Sequence, residues 1–291
     1  MANIRDVKKK IGGVKGTQQI TRAMKMVATA KLRRAIERLN ATKFYLEKLE
    51  DLVADLRLAA GADSKIHPLF DSRPVKNTAV VLVTGDRGLC GSFNHDLFKY
   101  TVKFMDKLPE NGRHLILIGR KGHEFFRRKN IPILGYHSDL SGPADQDGVR
   151  LAARNAIKFY TTGLIDELHI VYTGYVSALE RHITSRRLLP LEDHTLVSVK
   201  SVRRSCGILF DPSPEKILGS LIPRYVEGLF LRALLESAAS EHGARMVAMG
   251  AATDRADEII SQLTLSYNRT RQAIITKELS EVIAGAEALA G

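Results

Sequence analysis

The stretch that most constrains this chain runs from Pro214 to Leu289. After Pro223 no proline interrupts it, and its last turns place Ile275, Leu279, Val282, Ala286 and Leu289 at alternating steps of four and three. That rhythm predicts one apolar seam along a helix. Sixty-odd helical residues measure about 100 Å at ~1.5 Å per residue, more than a compact domain of the remaining length can span. The helix is therefore expected to project beyond any globular body, and something must cover its seam.

A second long helix is predicted over residues 2 to about 58. A three-four ladder from Ile4 reads Ile4, Val7, Ile11, Val14, then Gln18, Thr21 and Lys25, then Ala28, Leu32, Ala35, Leu39, Thr42, Leu46, Leu49, Val53 and Leu56. Both ends fit a heptad seam and the middle breaks it. The apolar positions there shift to Ile20, Met24 and Val27, which predicts a phase slip that bends or unwinds a coiled coil. Gly12, Gly13 and Gly16 precede the slip. Each costs up to about 1 kcal/mol in a helix, so close approach of another backbone, or a bend, is expected there.

Between the two helices, Gly61 to Pro74 reads as a linker. An alternating α/β pattern follows. Strands are predicted at Thr78–Thr84, Leu115–Ile118, Ile131–Tyr136 and Leu168–Tyr175. Helices are predicted at Asn94–Leu108, Lys121–Lys129 and Asp145–Thr161. Such alternation implies right-handed crossovers and a mainly parallel sheet, to which Arg181–Leu189 and Thr195–Val199 add candidate edge strands. Arg203–Pro214 reads as a connector. The expected fold is α/β plus long helices: an antiparallel coiled coil of the terminal helices (1–60 and 212–291) carrying an inserted Rossmann-like α/β domain (75–202). The alanine- and glycine-rich run Ala238–Ala252 suits tight helix packing, and the seam at Ile275–Leu289 is expected to outrun its intramolecular partner.

The formal charge is +12. Within residues 1–40, eleven Lys and Arg face only Asp6 and Glu37, so this segment alone carries eleven less two, or +9. A stripe like this predicts an acidic partner: nucleic acid, anionic lipid or an acidic protein surface. No apolar run is long enough for a transmembrane helix. Cys90 and Cys206 are too few for a disulfide framework or a zinc site, and a reducing compartment is expected. Gly85–Asn94 follows a strand and precedes a helix, where phosphate loops sit. It is neither G-x-G-x-x-G nor a P-loop, so a structural turn or a partner contact is preferred to a nucleotide site. Cys90 has no base identified nearby, His123-Glu124 lacks the second histidine of a zinc-protease helix, and no G-x-S-x-G elbow is present. The residues predict neither a catalyst nor a bound cofactor or metal. Two rival readings are a basic helical nucleic-acid-binding protein and a nucleotide-binding α/β enzyme.

Several runs carry a resemblance. Gln19 to Ala28 (QITRAMKMVA) with Lys31-Leu32, Asp86 to Gly91 (DRGLCG), Glu241 to Met249 (EHGARMVAM) with Ala252-Thr253-Asp254, and Tyr267 to Ala286 resemble, in order, the γ subunit of F-type ATP synthases. The resemblance implies a rotor: a coiled coil inside a hexamer of α and β subunits, a globular part resting with ε on a ring of c subunits, and catalysis belonging to β and α. One copy per complex, peripheral to the membrane and without nucleic acid, is implied.

The same resemblance implies contact residues. Ile275, Leu279, Val282 and Leu289 would fill an apolar sleeve at the top of the hexamer. Arg271, Gln272 and Thr276 would meet loops of β. Lys8, Lys9 and Lys10, with Arg33 and Arg34, would face acidic β loops, Met24 would lie where the coil meets them, and the loop of Arg87 and Cys90 would lie close by. Phe210 and Asp211 would belong to the foot near ε and the c ring. Lys25 departs from the family's usual acid, and Arg255 and Asp257 from its usual small or amide residues. The absence of a cysteine-bearing insertion, and of a transit segment before Ile4, leads to the expectation of a bacterial plasma-membrane enzyme, with the chain on its cytoplasmic face.

Overall fold

The computed structural model describes residues 4–60, 67–140, 146–191, 211 and 213–290, of which 58, 60, 146 and 287–290 as backbone only. Two compact units are distinguished: Thr29–Arg245, and Met1–Ala28 with Met246–Gly291. Helix α1 (Ile4–Ala60) and helix α5 (Pro214–Ala290) each contribute to both.

The larger unit is built on a five-stranded sheet. Its strands are β1 (Thr78–Val83), β2 (Arg113–Ile118), β3 (Ile133–His137), β4 (Glu167–Tyr175) and β5 (Arg181–Leu189), in spatial order β3-β2-β1-β4-β5. The first four are parallel, and β5 pairs antiparallel with β4. The crossovers carry α2 (Phe93–Met105), α3 (Arg120–Phe126) and α4 (Gln146–Thr161). The sheet is thus mixed but mostly parallel, as the alternation predicts, and Arg181–Leu189 is its antiparallel edge. The further strand expected at Thr195–Val199 lies outside the described residues, as does most of the connector from Arg203.

Strand β1 explains why this sheet is covered on both faces. All six of its residues are buried. Ala79, Val81 and Val83 enter one core with Leu46, Leu49 and Val53 of α1, Ala153 and Ala156 of α4, and Ile222, Val226 and Phe230 of α5. Val80 and Leu82 enter the other, with Phe93 and Leu97 of α2 and Phe126 of α3. A continuous apolar run, rather than an alternating one, is what a doubly covered parallel strand requires. Along the helix pair in this unit, Tyr225 donates its hydroxyl proton to Glu50 (3.0 Å). A Cβ added to Gly228 would lie 2.6 Å from Leu46. Pro223 sits inside α5 without ending it.

The smaller unit is an antiparallel pair of helix segments, and it corrects the expected phase slip. Gln18 donates to Asp257, Thr253 donates to Thr21 at 2.9 Å, and Gly250 lies against the Lys25 side chain. Residue numbers across these three pairs add to 275, 274 and 275, so the register runs unbroken through the stretch where the seam was expected to jump. The rungs are polar instead of apolar. Ile20 (62 % exposed) and Val27 (56 %) point outward, and Met24 is half-buried. Hydrophobicity alone misplaces the seam here, because paired hydroxyl and amide groups can occupy a seam position once their hydrogen bonds are met. The glycines require a second correction. A Cβ on Gly12, Gly13 or Gly16 would meet nothing within 4 Å, so among the described residues no other backbone makes the close approach that was one of the two expectations there.

Candidate functional site

Two surfaces merit a functional reading, one in each unit. In the smaller unit the register opposes Ile4, the first described residue of α1, to a residue near 270 of α5. From Arg271 to Ala286 every residue is exposed. Ile275, Leu279 and Val282 are 45 %, 55 % and 70 % exposed, and Ile274 and Ile283 are also uncovered. The apolar seam therefore continues past its partner, as expected from the sequence. At ~1.5 Å per residue the unpaired portion measures about 30 Å. Arg271, Gln272 and Thr276 share this free segment. Leu289 lies in the helix where only the backbone is described. Lys8, Lys9 and Lys10 are exposed on α1, close to where the pairing ends. Among the predicted contacts of this unit whose side chains are described, only Met24 is partly covered.

In the larger unit the sheet reverses its strand order between β1 and β4, the place where doubly wound folds bind ligands beyond the strands' carboxyl ends. Here that crevice is filled by α5. A Cβ on Gly85, directly after β1, would lie 2.8 Å from the Glu241 carboxyl carbon, and one on Gly243 would lie 3.4 Å from the Ala178 carbonyl oxygen beyond β4. Ala244 joins the α2/α3 core. Only glycine fits at Gly119, whose φ is +100° and whose Cβ would meet the Thr84 carbonyl oxygen at 2.1 Å.

The loop after β1 is fastened by charge. Arg245 forms an ion pair with Glu241, both side chains being about nine-tenths buried. It also donates to the Gly88 carbonyl oxygen (3.3 Å). The Asp86 carboxylate accepts the backbone N–H groups of Arg120 (2.9 Å) and Asp139 (3.1 Å), tying this loop to the start of α3 and the segment after β3. Burial pushes the Glu241 carboxyl up, against the pull of Arg245. Burial, with Arg245 and Lys31 adding to it, holds the neighbouring His242 down at about 4, so this imidazole is neutral. The Cys90 thiol is buried, accepts from the Asn94 amide at 3.4 Å, and is pushed up first by burial and then by Glu241. Such a thiol is a poor nucleophile. On the same loop Leu89 is 63 % exposed at φ +62°, and Arg87 is exposed. The loop thus turns Arg87 and Leu89 outward and Cys90 inward.

Of the remaining predicted residues, Arg33 and Arg34 are exposed, with Arg33 paired to Glu37 at 3.2 Å. Asp211 is exposed, and Phe210 lies outside the described residues. Sequence reasoning missed the Glu241–Arg245 pair. Its signal was present as an acid and a base one helical turn apart inside an alanine-rich run. Among the described residues no His/Cys/Asp/Glu cluster is arranged to hold a metal, and no helix is long and apolar enough to cross a membrane.

Helix pairing that stops short of the end of one helix, with a doubly wound sheet whose ligand crevice is plugged by that same helix, defines a class. It is a coiled-coil protein with an inserted α/β body. The comparisons name the family. Residues 3–289 match the family described as ATP synthase. The chain is 43 % identical over 291 residues to the ATP synthase gamma chain of Moorella thermoacetica, covering 99 % of this chain and 100 % of that one. It is 42 % identical over 289 residues to the gamma chain of Desulfitobacterium hafniense, with the same coverage. The chain belongs to the ATP synthase gamma-chain family. In fold it is similar to a chain of the Euglena gracilis mitochondrial ATP synthase OSCP/F1/c-ring structure, with a TM-score of 0.70, 20 % identity, and coverage of 98 % of this chain and 94 % of that one. It is also similar to a chain of the central stalk/c-ring of the Tetrahymena thermophila enzyme, with a TM-score of 0.59, 22 % identity, and coverage of 80 % and 99 %.

Proposed function

We propose that this chain is the rotating central-stalk subunit of an F-type ATP synthase, coupling ion flow through a ring of c subunits to ATP synthesis or hydrolysis at β-subunit sites. The observation that carries the proposal is the exposed apolar seam of Ile275, Leu279 and Val282, beyond the point where α1 can cover it. An apolar stripe of this kind marks a partner surface. In this reading residues 1–60 and 212–291 are the shaft, and 75–202 form the body.

Contacts with the α/β hexamer fall to Lys8, Lys9, Lys10, Met24, Arg33, Arg34, the loop of Arg87 and Cys90, and the tip residues Arg271, Gln272, Ile275, Thr276, Leu279, Val282 and Leu289. Because Cys90 faces inward, its share in that contact is to hold the loop that offers Arg87 and Leu89. Phe210 and Asp211 fall to the ε and c-ring end. The chain supplies no catalytic residue. It acts by presenting a different flank to each β subunit, since only a differential interaction shifts a conformational population. The complex sits at the bacterial plasma membrane, with this chain on the cytoplasmic face.

Reconstitution tests the reading. Adding the chain to purified α and β subunits should yield a complex whose ATP hydrolysis drives rotation of a probe attached to this chain. A complex that hydrolyses ATP while the probe stays still would overturn it.

A further inference from the structure

Helices α1, α4 and α5 enclose an open cleft of about 520 Å³ in the larger unit, and no part of the function proposed above uses it. Its floor is apolar: Val149 is buried, Leu231 half-buried, and the Tyr45 ring stands at one side. Its rim is cationic, with Arg150, Arg154 and Arg224. The acid in the lining, Glu227, is already engaged by Arg154 Nε at 2.8 Å. Arg150 reaches only the highly exposed Asp147, at 3.4 Å, and Arg224 has no carboxylate partner among the described residues. Leu52, seven residues beyond Tyr45 and so on the same face of α1, is also exposed. Lys48 stands between them, paired with Asp51 at 3.8 Å, so the apolar surface next to the cleft consists of the Tyr45 and Leu52 side chains.

We propose that this arginine-rimmed cleft is a docking site for an acidic amphipathic helix of a partner protein. Charge complementarity selects the sign. Guanidinium groups are suited to carboxylates, which they grip through paired N–H donors. The apolar floor, with the exposed Tyr45 and Leu52 beside it, selects an occupant with an aliphatic flank, which a free inorganic anion lacks. A single aromatic ring offers no row of stacking platforms for nucleic acid bases. The proposal draws on the reading of this chain as one subunit of an assembly, but its test uses the isolated chain, so the two fail separately.

The probe is a fluorescent 18-residue helical peptide with leucines on one face and glutamates on its flanks, titrated by anisotropy against the full-length chain. The Arg150→Glu/Arg224→Glu variant is expected to weaken binding at least about tenfold, with a Lys8→Glu/Lys9→Glu/Lys10→Glu control within about threefold of the parent. A photocrosslinking residue at position 45 of an otherwise native chain should attach to the peptide. Undiminished binding by the arginine variant, a larger loss in the lysine control, or no crosslink at position 45 would each overturn the proposal. So would inorganic tripolyphosphate displacing the peptide at equal molar concentration, because the site would then read charge alone.

Discussion

Thr21 on α1 and Thr253 on α5 meet hydroxyl to hydroxyl at 2.9 Å across the helix pair. Thr21 also donates to the Gln18 carbonyl oxygen (3.0 Å), and Thr253 lies 2.7 Å from that of Met249. Each hydroxyl therefore keeps a local backbone acceptor if the other is removed. Thr21→Val or Thr253→Val alone should cost about 1 kcal/mol, the usual net worth of one hydrogen bond. The double variant should cost clearly less than the sum, because both polar groups leave the seam together. Denaturant unfolding of the four members of the cycle measures the coupling, and strict additivity would mean that the pair is incidental.

The glycine run gives the opposite sign. With open space where a Cβ would stand at Gly12, Gly13 and Gly16, alanine adds no clash and reduces the freedom of the unfolded chain. Replacing all three should stabilise the protein by about 1–3 kcal/mol. Amide hydrogen exchange across residues 4–16 should slow in step. Faster exchange would show that these positions are strained or packed after all.

The Thr21–Thr253 rung and the open space at the glycines lie where hydrophobic periodicity carries no information. Strand β1 was legible because a short unbroken apolar run buried on both faces leaves few alternatives. The free tip was legible because a helix that outlasts its partner can be read from the two lengths alone. The register around Thr21 was not legible. Hydrophobicity makes Ile20 and Val27 look like seam residues, and only the contacts reveal that they face outward. The plug at the sheet's crevice is illegible in the sequence for a related reason. Nothing local in Gly85 announces that Glu241, far along the chain, will occupy the space a ligand would need. The cationic cleft was equally hidden, since its arginines belong to α4 and α5 and converge only on folding.

Arg245 should be among the most sensitive positions. Arg245→Met leaves the Glu241 carboxylate buried without its partner and frees the carbonyl oxygen of Gly88. A loss of about 3–5 kcal/mol is expected for breaking a buried pair in this way. Glu241→Leu combined with Arg245→Met should recover much of it, since no lone charge then remains. Unfolding titrations give the energies. Reaction of Cys90 with a thiol reagent gives an independent reading of the loop, and it should accelerate in the single variant.

His242 sets a pH dependence. Its folded value, about 4, lies below the ordinary 6.5, with burial as the main cause and Arg245 and Lys31 contributing. The unfolded chain therefore takes up a proton between pH 6.5 and 4 that the folded chain refuses. The stability associated with neutral His242 is complete above pH 6.5 and is lost as pH falls toward 4, by up to about 3 kcal/mol. Glu241 works the other way, since a raised carboxyl favours the folded state on acidification. The test is accordingly the difference between the parent and His242→Gln. The variant's stability should fall less over that range, and parallel curves would remove His242 from the account.

The tip separates folding from assembly. Ile275, Leu279 and Val282 are exposed, and no segment of this chain covers them among the described residues. Replacing all three by serine should therefore leave the unfolding free energy of the isolated chain within about 0.5 kcal/mol, as for surface positions generally. If a surrounding hexamer covers the seam, the same variant loses buried apolar area on assembly, on the order of 1.5–3 kcal/mol for each fully covered side chain. Its yield of complex with α and β subunits should then drop steeply while its own melting curve stays put. Helical content followed by circular dichroism guards against simple fraying of the free segment. A variant that assembles as well as the parent would mean that the seam is not gripped, and the bearing would have to be sought lower, among Lys8, Lys9 and Lys10.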